Sequence, residues 1–185
     1  AVLVGLAKYT WFTRRAALTD RDTILIGAFE NTTGEPVFDE TLVTALETAL
    51  GQSPFLDIVP DQRIQETLRS MGRNGDDRLT ADVSREVCQR LSLKAMMEGS
   101  IASLGSSYVI RLEATDCQTG EALAREQGEA GDQAQVLKEL GLLTSRMRTT
   151  LGESLKSIQA FDVPIEQATT PSLTALKAYA LGLEE

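Results

Sequence analysis

Apolar residues recur along this chain with two periods, one suited to strands and one to helices. Thr23-Ile-Leu-Ile-Gly-Ala-Phe29 is a near-continuous apolar run, the pattern of a strand buried on both faces. Glu30-Asn-Thr-Thr-Gly34 breaks it with turn residues. Asp39 is placed to cap a helix through Gln52, with Leu42, Val43, Leu46, Ala49 and Leu50 on one face. Gly51 closes that helix, Pro54 follows, and Phe55–Val59 reads as a second strand. Asp61 is placed to cap the next helix, which carries Ile64, Leu68 and Met71 at helical spacing. After the polar loop Gly72–Arg78, Thr80 opens a helix from Ala81 to Leu91 with Val83, Val87 and Leu91 inward.

Three strand-like runs follow: Ala95–Ala102, Tyr108–Thr115 and Glu121–Glu129. A turn around Gly105 and a hairpin connection at Asp116–Gly120 predict an antiparallel meander. Gln133 to Gln159 then reads as one long helix, with Val136, Leu140, Leu143, Met147, Leu151, Leu155 and Ile158 on a stripe. Such a stripe is either a core face lying on the sheet or a coiled-coil seam. Asp162–Pro171 reads as a linker, and a further helical pattern starts at Ser172. The order βαβααβββα predicts an α+β fold, a mixed sheet with helices packed on it.

Composition narrows the chemistry. The chain has 185 residues, 42% of them hydrophobic, enough for one cored domain with short flanks. Its net charge of -9 opposes binding to nucleic acid or anionic lipid. There is no histidine, which excludes Ser-His-Asp and Cys-His pairs, a histidine base and histidine metal ligands. No phosphate-cradling glycine loop is present, and no cofactor or metal site is expected. Asp39, Glu40 and Asp57 are the carboxylates available as a base. Helix capping explains Asp39, and a strand-end position explains Asp57.

Cys88 falls near the inward face of the third helix and Cys117 at the end of the fourth strand. They meet if that helix packs over the sheet near the hairpin. Two readings stand: a disulfide, or two buried thiols packing as small hydrophobes. A cytosolic placement favours thiols and an oxidising compartment favours the bond.

Both ends look cut. Ala1–Ala7 is apolar but too short to span a bilayer, and Tyr9, Trp11, Phe12, Arg14 and Arg15 follow it. That order is expected for the tail of a membrane helix, with aromatic residues at the interface. Asn31-Thr-Thr33 is formally a glycosylation sequon, better explained as a turn.

Asp22–Asp39, Gln52–Leu56, Asp61–Ile64, Arg85–Arg90, Glu98–Ile101, Cys117–Glu121 and Asp162–Tyr179 together resemble a module of bacterial multidomain signalling proteins. In that family a serine/threonine protein kinase or similar domain is followed by one membrane helix, this module and tetratricopeptide repeats. The module is similar to the N-terminal domain of TolB, an α/β fold without known catalysis. The resemblance covers about residues 20–185. It implies a membrane-helix end and juxtamembrane linker at 1–19, the module at 20–160 and a linker at 161–171. It further implies the first helix of a truncated repeat array at 172–185. It carries over no kinase catalytic residue and places the module outside the cytoplasm, whereas Lys8, Arg14 and Arg15 vote for a cytoplasmic side.

Three functions compete at this level. The first is a non-catalytic scaffold that binds a protein partner through the repeats and an exposed sheet edge, with the N-terminal segment in the membrane. The second is an extracytoplasmic sensor whose ligand mouth is the loop Glu30, Asn31, Thr32, Thr33 and Gly34 at the end of the first strand. The third is an enzyme using Asp39, Glu40 or Asp57.

Overall fold

The apolar run after Asp22 becomes the second strand of a five-stranded sheet, in the order β2-β1-β3-β4-β5. The computed structural model describes residues 18–183. The strands are β1 (Asp22–Asn31), β2 (Leu56–Ile58), β3 (Ala95–Leu104), β4 (Ser107–Asp116) and β5 (Ala122–Ala130). β1 runs parallel to both β2 and β3, whereas β3, β4 and β5 form the expected antiparallel meander. The helices are α1 (Thr41–Gly51), α2 (Asp61–Ser70), α3 (Ala81–Arg90), α4 (Val136–Leu151), α5 (Leu155–Phe161), α6 (Ile165–Ala168) and α7 (Leu173–Leu183). The mixed α+β architecture predicted from the element order is the one observed.

Strand alternation divides the interior in two. Ile24 and Ile26 of β1, Met97 and Ile101 of β3, and Ile110 and Leu112 of β4 join α1 and α4 in the larger core. Leu25 and Met96 point the other way and meet Leu68, Val83 and Val87 of α2 and α3. Each fully buried Leu, Ile or Val contributes roughly 1.5–3 kcal/mol relative to exposure. The smaller core leaves the outer half of that face open, and Arg125 pairs there with Glu113 at 2.8 Å.

Four local expectations are corrected. Asp39 caps no helix: Pro36–Phe38 forms a 3-10 turn that inserts Phe38 into the core, and α1 starts only at Thr41. Asp61 is the first residue of α2, after Pro60, and makes no capping hydrogen bond. The long helix is broken. Gly152, at φ 125°, ends α4 with its N–H bonding Thr149 O while the Glu153 N–H bonds Arg148 O. That paired closure uses a backbone conformation open chiefly to glycine. Leu155, expected on the buried stripe, is instead 65% exposed.

The fourth correction concerns the linker. Residues 161–171 contain α6, whose Ile165 is buried against α1 and α4. α7 then docks on α1 through Leu173, Leu176 and Ala180, and the Lys177 ammonium donates to the Pro36 carbonyl at 2.8 Å. These contacts anchor α7 on the module. Among the described residues no helix is long and apolar enough to cross a membrane, and the membrane-tail segment lies outside those residues.

Candidate functional site

The loop after β1 is built by Asn31. Its Nδ2 donates to Glu35 O and Asp39 Oδ1, each at 2.9 Å. Its Oδ1 accepts from the Thr33 N–H at 3.0 Å and the Thr33 hydroxyl at 2.7 Å. Thr32 donates to Ile101 O at 3.1 Å, and the Glu35 N–H donates to Thr33 Oγ1 at 3.0 Å. Tyr108 donates to Glu35 Oε1 at 2.6 Å. Short polar side chains bonding the backbone around them make a turn. The polar groups of Asn31, Thr32 and Thr33 are thus engaged within the fold, and the Asn31 amide that a glycan would take already serves two acceptors.

The open feature lies beside this loop. β2 pairs β1 only as far as Ile24, whose carbonyl accepts from the Val59 N–H at 3.0 Å. Pro60 then turns the chain into α2. Among the described residues, 25–31 of β1 have no strand on that side. Successive residues of a strand direct their backbone groups to alternate edges, so Ile26 presents its N–H and C=O to the same edge as Ile24. A cleft of about 290 Å³ follows this edge, floored by Ile26 to Phe29. A second hollow continues it past Glu30 and Asn31 to Asp39 and Thr80.

The walls of the cleft are acidic. α1 contributes Glu47, the residue just before that helix contributes Glu40, α2 contributes Asp61, and the following loop contributes Asp76 and Asp77. Among the described residues Arg78 is the cation in the lining, its guanidinium already pairs with Glu40 at 3.3 Å, and the Arg69 guanidinium lies against Gly75. Burial, then the charges of Asp61 and Glu40, push the Glu47 carboxyl up to about 7. A second carboxylate, Glu98, lies opposite Glu113 in the β3–β4 ladder. Burial, then Glu113, raises its pKa.

The carboxylates singled out from sequence are not brought together. Asp39 is held by Asn31, Glu40 lines the cleft, and Asp57 is exposed on β2. Among the described residues no group of three or more His, Cys, Asp or Glu side chains could hold a metal ion. Sequence reasoning missed Glu47 and Asp61 as cleft residues. The spacing of Val43 and Glu47 puts them on one helical face and was a usable signal, whereas Glu40 precedes the helix. Nothing local ties Asp61 to them.

On the α3 side, Cys88 and Cys117 are joined, with Cα atoms 5.7 Å apart and both side chains fully buried. Gln89 Nε2 donates to Cys117 O at 3.1 Å. Asp116 accepts from the Thr119 and Gln118 N–H groups and from Lys94. The Thr119 bond leads in lowering its pKa, with the Gln118 and Lys94 bonds adding to it against the opposing effect of burial. This cluster fastens α3 to the β4–β5 hairpin.

No family model and no curated protein sequence matches the chain. Solved structures do. The LpoB C-terminal domain from Salmonella enterica superposes with a TM-score of 0.57 at 16% identity, over 65% of this chain and 89% of that one. The LpoB C-terminal domain from Escherichia coli gives 0.56 at 15% identity, over 64% and 88%. TolB from Acinetobacter baumannii gives 0.48 at 15% identity, over 73% of this chain and 29% of that one. The LpoB likenesses show that the chain has the fold of those domains.

Proposed function

We propose that this chain is a non-catalytic protein-interaction module of an envelope-associated signalling protein, set between a membrane helix and a helical repeat array. The open stretch of β1 beside the acidic cleft carries this reading. An unpaired strand edge offers backbone hydrogen bonds to a partner and is seldom left bare without a role. The cleft lining contains no Ser, Thr, Cys, Lys or Tyr to act as a nucleophile beside its carboxylates. The buried disulfide suits an oxidising compartment outside the cytoplasm. An upstream protein kinase and downstream tetratricopeptide repeats belong to the same reading, supported by the sequence resemblance.

A second reading, a small-ligand sensor, is favoured by the cleft itself. Its volume of about 290 Å³ and its half-buried Glu47 suit a small cation better than the engaged groups of Asn31 to Thr33 suit any ligand. The two readings separate by photo-crosslinking in the full-length protein in its own cells. A photoreactive residue is placed in turn at Ala28, Asp76, Gln127 and Tyr179. A scaffold gives discrete protein adducts from one face. Absence of protein adducts at every position would sink the scaffold reading and leave the sensor.

A further inference from the structure

We infer that the free edge of β1 is a strand-addition site for an extended, Lys- or Arg-bearing segment of a protein partner. This rests on the interaction-module reading and names its site and the chemistry of its partner. Three observations converge on it.

The first is the edge itself. β1 is ten residues long and β2 covers only Asp22 to Ile24 of it. The backbone groups of Ile26 are aimed into the cleft with no ladder partner there among the described residues.

The second is the composition of the edge. Exposed edges are blunted by charges placed along them. β5, at the other margin of the sheet, carries Arg125, Glu126 and Glu129. β1 carries no charged residue from Thr23 to Phe29; its first charge past the cleft is the exposed Glu30, and its ladder with β3 shifts register between Ile26 and Phe29, so the segment an added strand meets without a bulge is centred on Ile26.

The third is charge. Among the described residues, the walls flanking the edge hold Glu40, Glu47, Asp61, Asp76 and Asp77 against Arg78, with the Arg69 guanidinium beside Gly75, which leaves them net acidic. An incoming strand projects alternate side chains to opposite sides, so basic residues at every second position reach these carboxylates. Glu47 lies among these groups, and its pKa is raised by burial first and then by the charges of Asp61 on α2 and Glu40 just before α1. An acidic or nucleic-acid partner would be repelled.

The test uses the whole chain and a fluorescein-labelled peptide of about eight residues, a typical strand length, alternating Lys with Val. Two further peptides carry N-methyl groups on alternate amides, in opposite phases, and a fourth has Glu in place of Lys. The Lys peptide is expected to bind, the Glu peptide to fail, and one N-methylated phase to bind while the other does not. Hydrogen exchange at the Ile26 amide should slow at least about tenfold on binding. Asp76→Lys, on an exposed loop, should weaken binding about fivefold without changing the fold.

No binding of the Lys peptide overturns the inference. So does binding that ignores N-methylation and leaves Ile26 exchange unchanged, which is charge attraction alone. Lysine amide binding as tightly as the peptide would mean a small-cation ligand, and slow Ile26 exchange before any peptide is added would mean that the chain covers its own edge. Either also overturns it. Crosslinked adducts from Gln127 or Tyr179 with none from Ala28 would leave the module reading standing while this inference falls.

Discussion

Arg148 and Glu153 form a two-pronged ion pair in which neither side chain is more than 1% exposed. Nε and Nη2 of Arg148 donate to the two Glu153 carboxylate oxygens, each at 2.8 Å. The remaining Arg148 Nη1 reaches Asp162 at 2.9 Å, and Glu153 also accepts from Ser53 and Ser157. The pair therefore ties the end of α4 to the loop before β2, to α5 and to the chain leading into α6.

Breaking one side of this pair leaves a buried charge without a partner. Arg148→Met should lower stability in urea denaturation by about 3–5 kcal/mol. The double variant with Glu153→Leu should lose less than the sum of the single losses, since no charge then remains. Burial pushes the Glu153 pKa up, but the bonds from Arg148, Ser53 and Ser157 and the Arg148 charge outweigh it, and the net direction is down. Its contribution is therefore full above the ordinary carboxylate pKa and is lost as pH falls through the lowered one. Additive losses in the double variant would show that the pair does not act as a unit.

Glu47 has the opposite sign. Its folded pKa, about 7, exceeds the ordinary 4.5, so between those values the folded state holds the extra proton. Stability from this group is full below pH 4.5 and is lost as pH rises through about 7. Glu47→Gln should accordingly stabilise the protein by on the order of 2 kcal/mol at pH 8 and have little effect at pH 4. Thermal melts of both proteins across that range check this, and a pH-independent difference would contradict it.

Gly99 lies beneath the ring of Phe29, its partner in the β1–β3 register. A Cβ added there would clash with the ring, and Phe29 must shift within the larger core, toward the cleft it lines, to admit it. Gly99→Ala should cost about 1–3 kcal/mol. Shortening the ring residue as well, with Phe29→Leu, should give a double variant more stable than the two single losses sum to. Denaturant midpoints of the four proteins measure the coupling.

The Cys88–Cys117 bond joins residues 29 apart in sequence. Closing a loop of that size stabilises by roughly 3–4 kcal/mol in the chain-entropy description. Cys117→Ser should lower the denaturation midpoint of the oxidised protein and differ little from the reduced wild type. Equal loss under oxidising and reducing conditions would mean that the serine hydroxyl in the core, and not the missing bond, sets the effect.

The strands were legible because each carries its own signal. The apolar run Thr23–Phe29, the alternation of Tyr108–Thr115 and the hairpin residues Asp116–Gly120 depend on neighbours in sequence alone. The break at Gly152 was hidden because its apolar stripe continues on both sides, through Leu151 to Ile158. The docking of Ile165 was hidden because one apolar residue in a Pro-flanked stretch reads as loop. Arg148 gave no sign of burial, since a basic residue on a helix is ordinarily solvated.

The candidate site divides the same way. The loop Glu30–Gly34 was found from its turn residues, but the hydrogen bonds that hold it reach beyond the turn, to Asp39 and to Ile101 on another strand. Phe55–Val59 promised a strand able to cover more of β1. Pairing stops at Ile58 because Pro60 redirects the chain, and this exposes the edge. By itself the sequence determined the order of elements, the antiparallel meander and the absence of histidine chemistry, because periodicity and composition are local properties. Only the tertiary structure decided which carboxylates crowd one cleft, where Arg148 finds its partner and which stretch of β1 lies open. Those depend on distances between segments that burial of the two cores brings together.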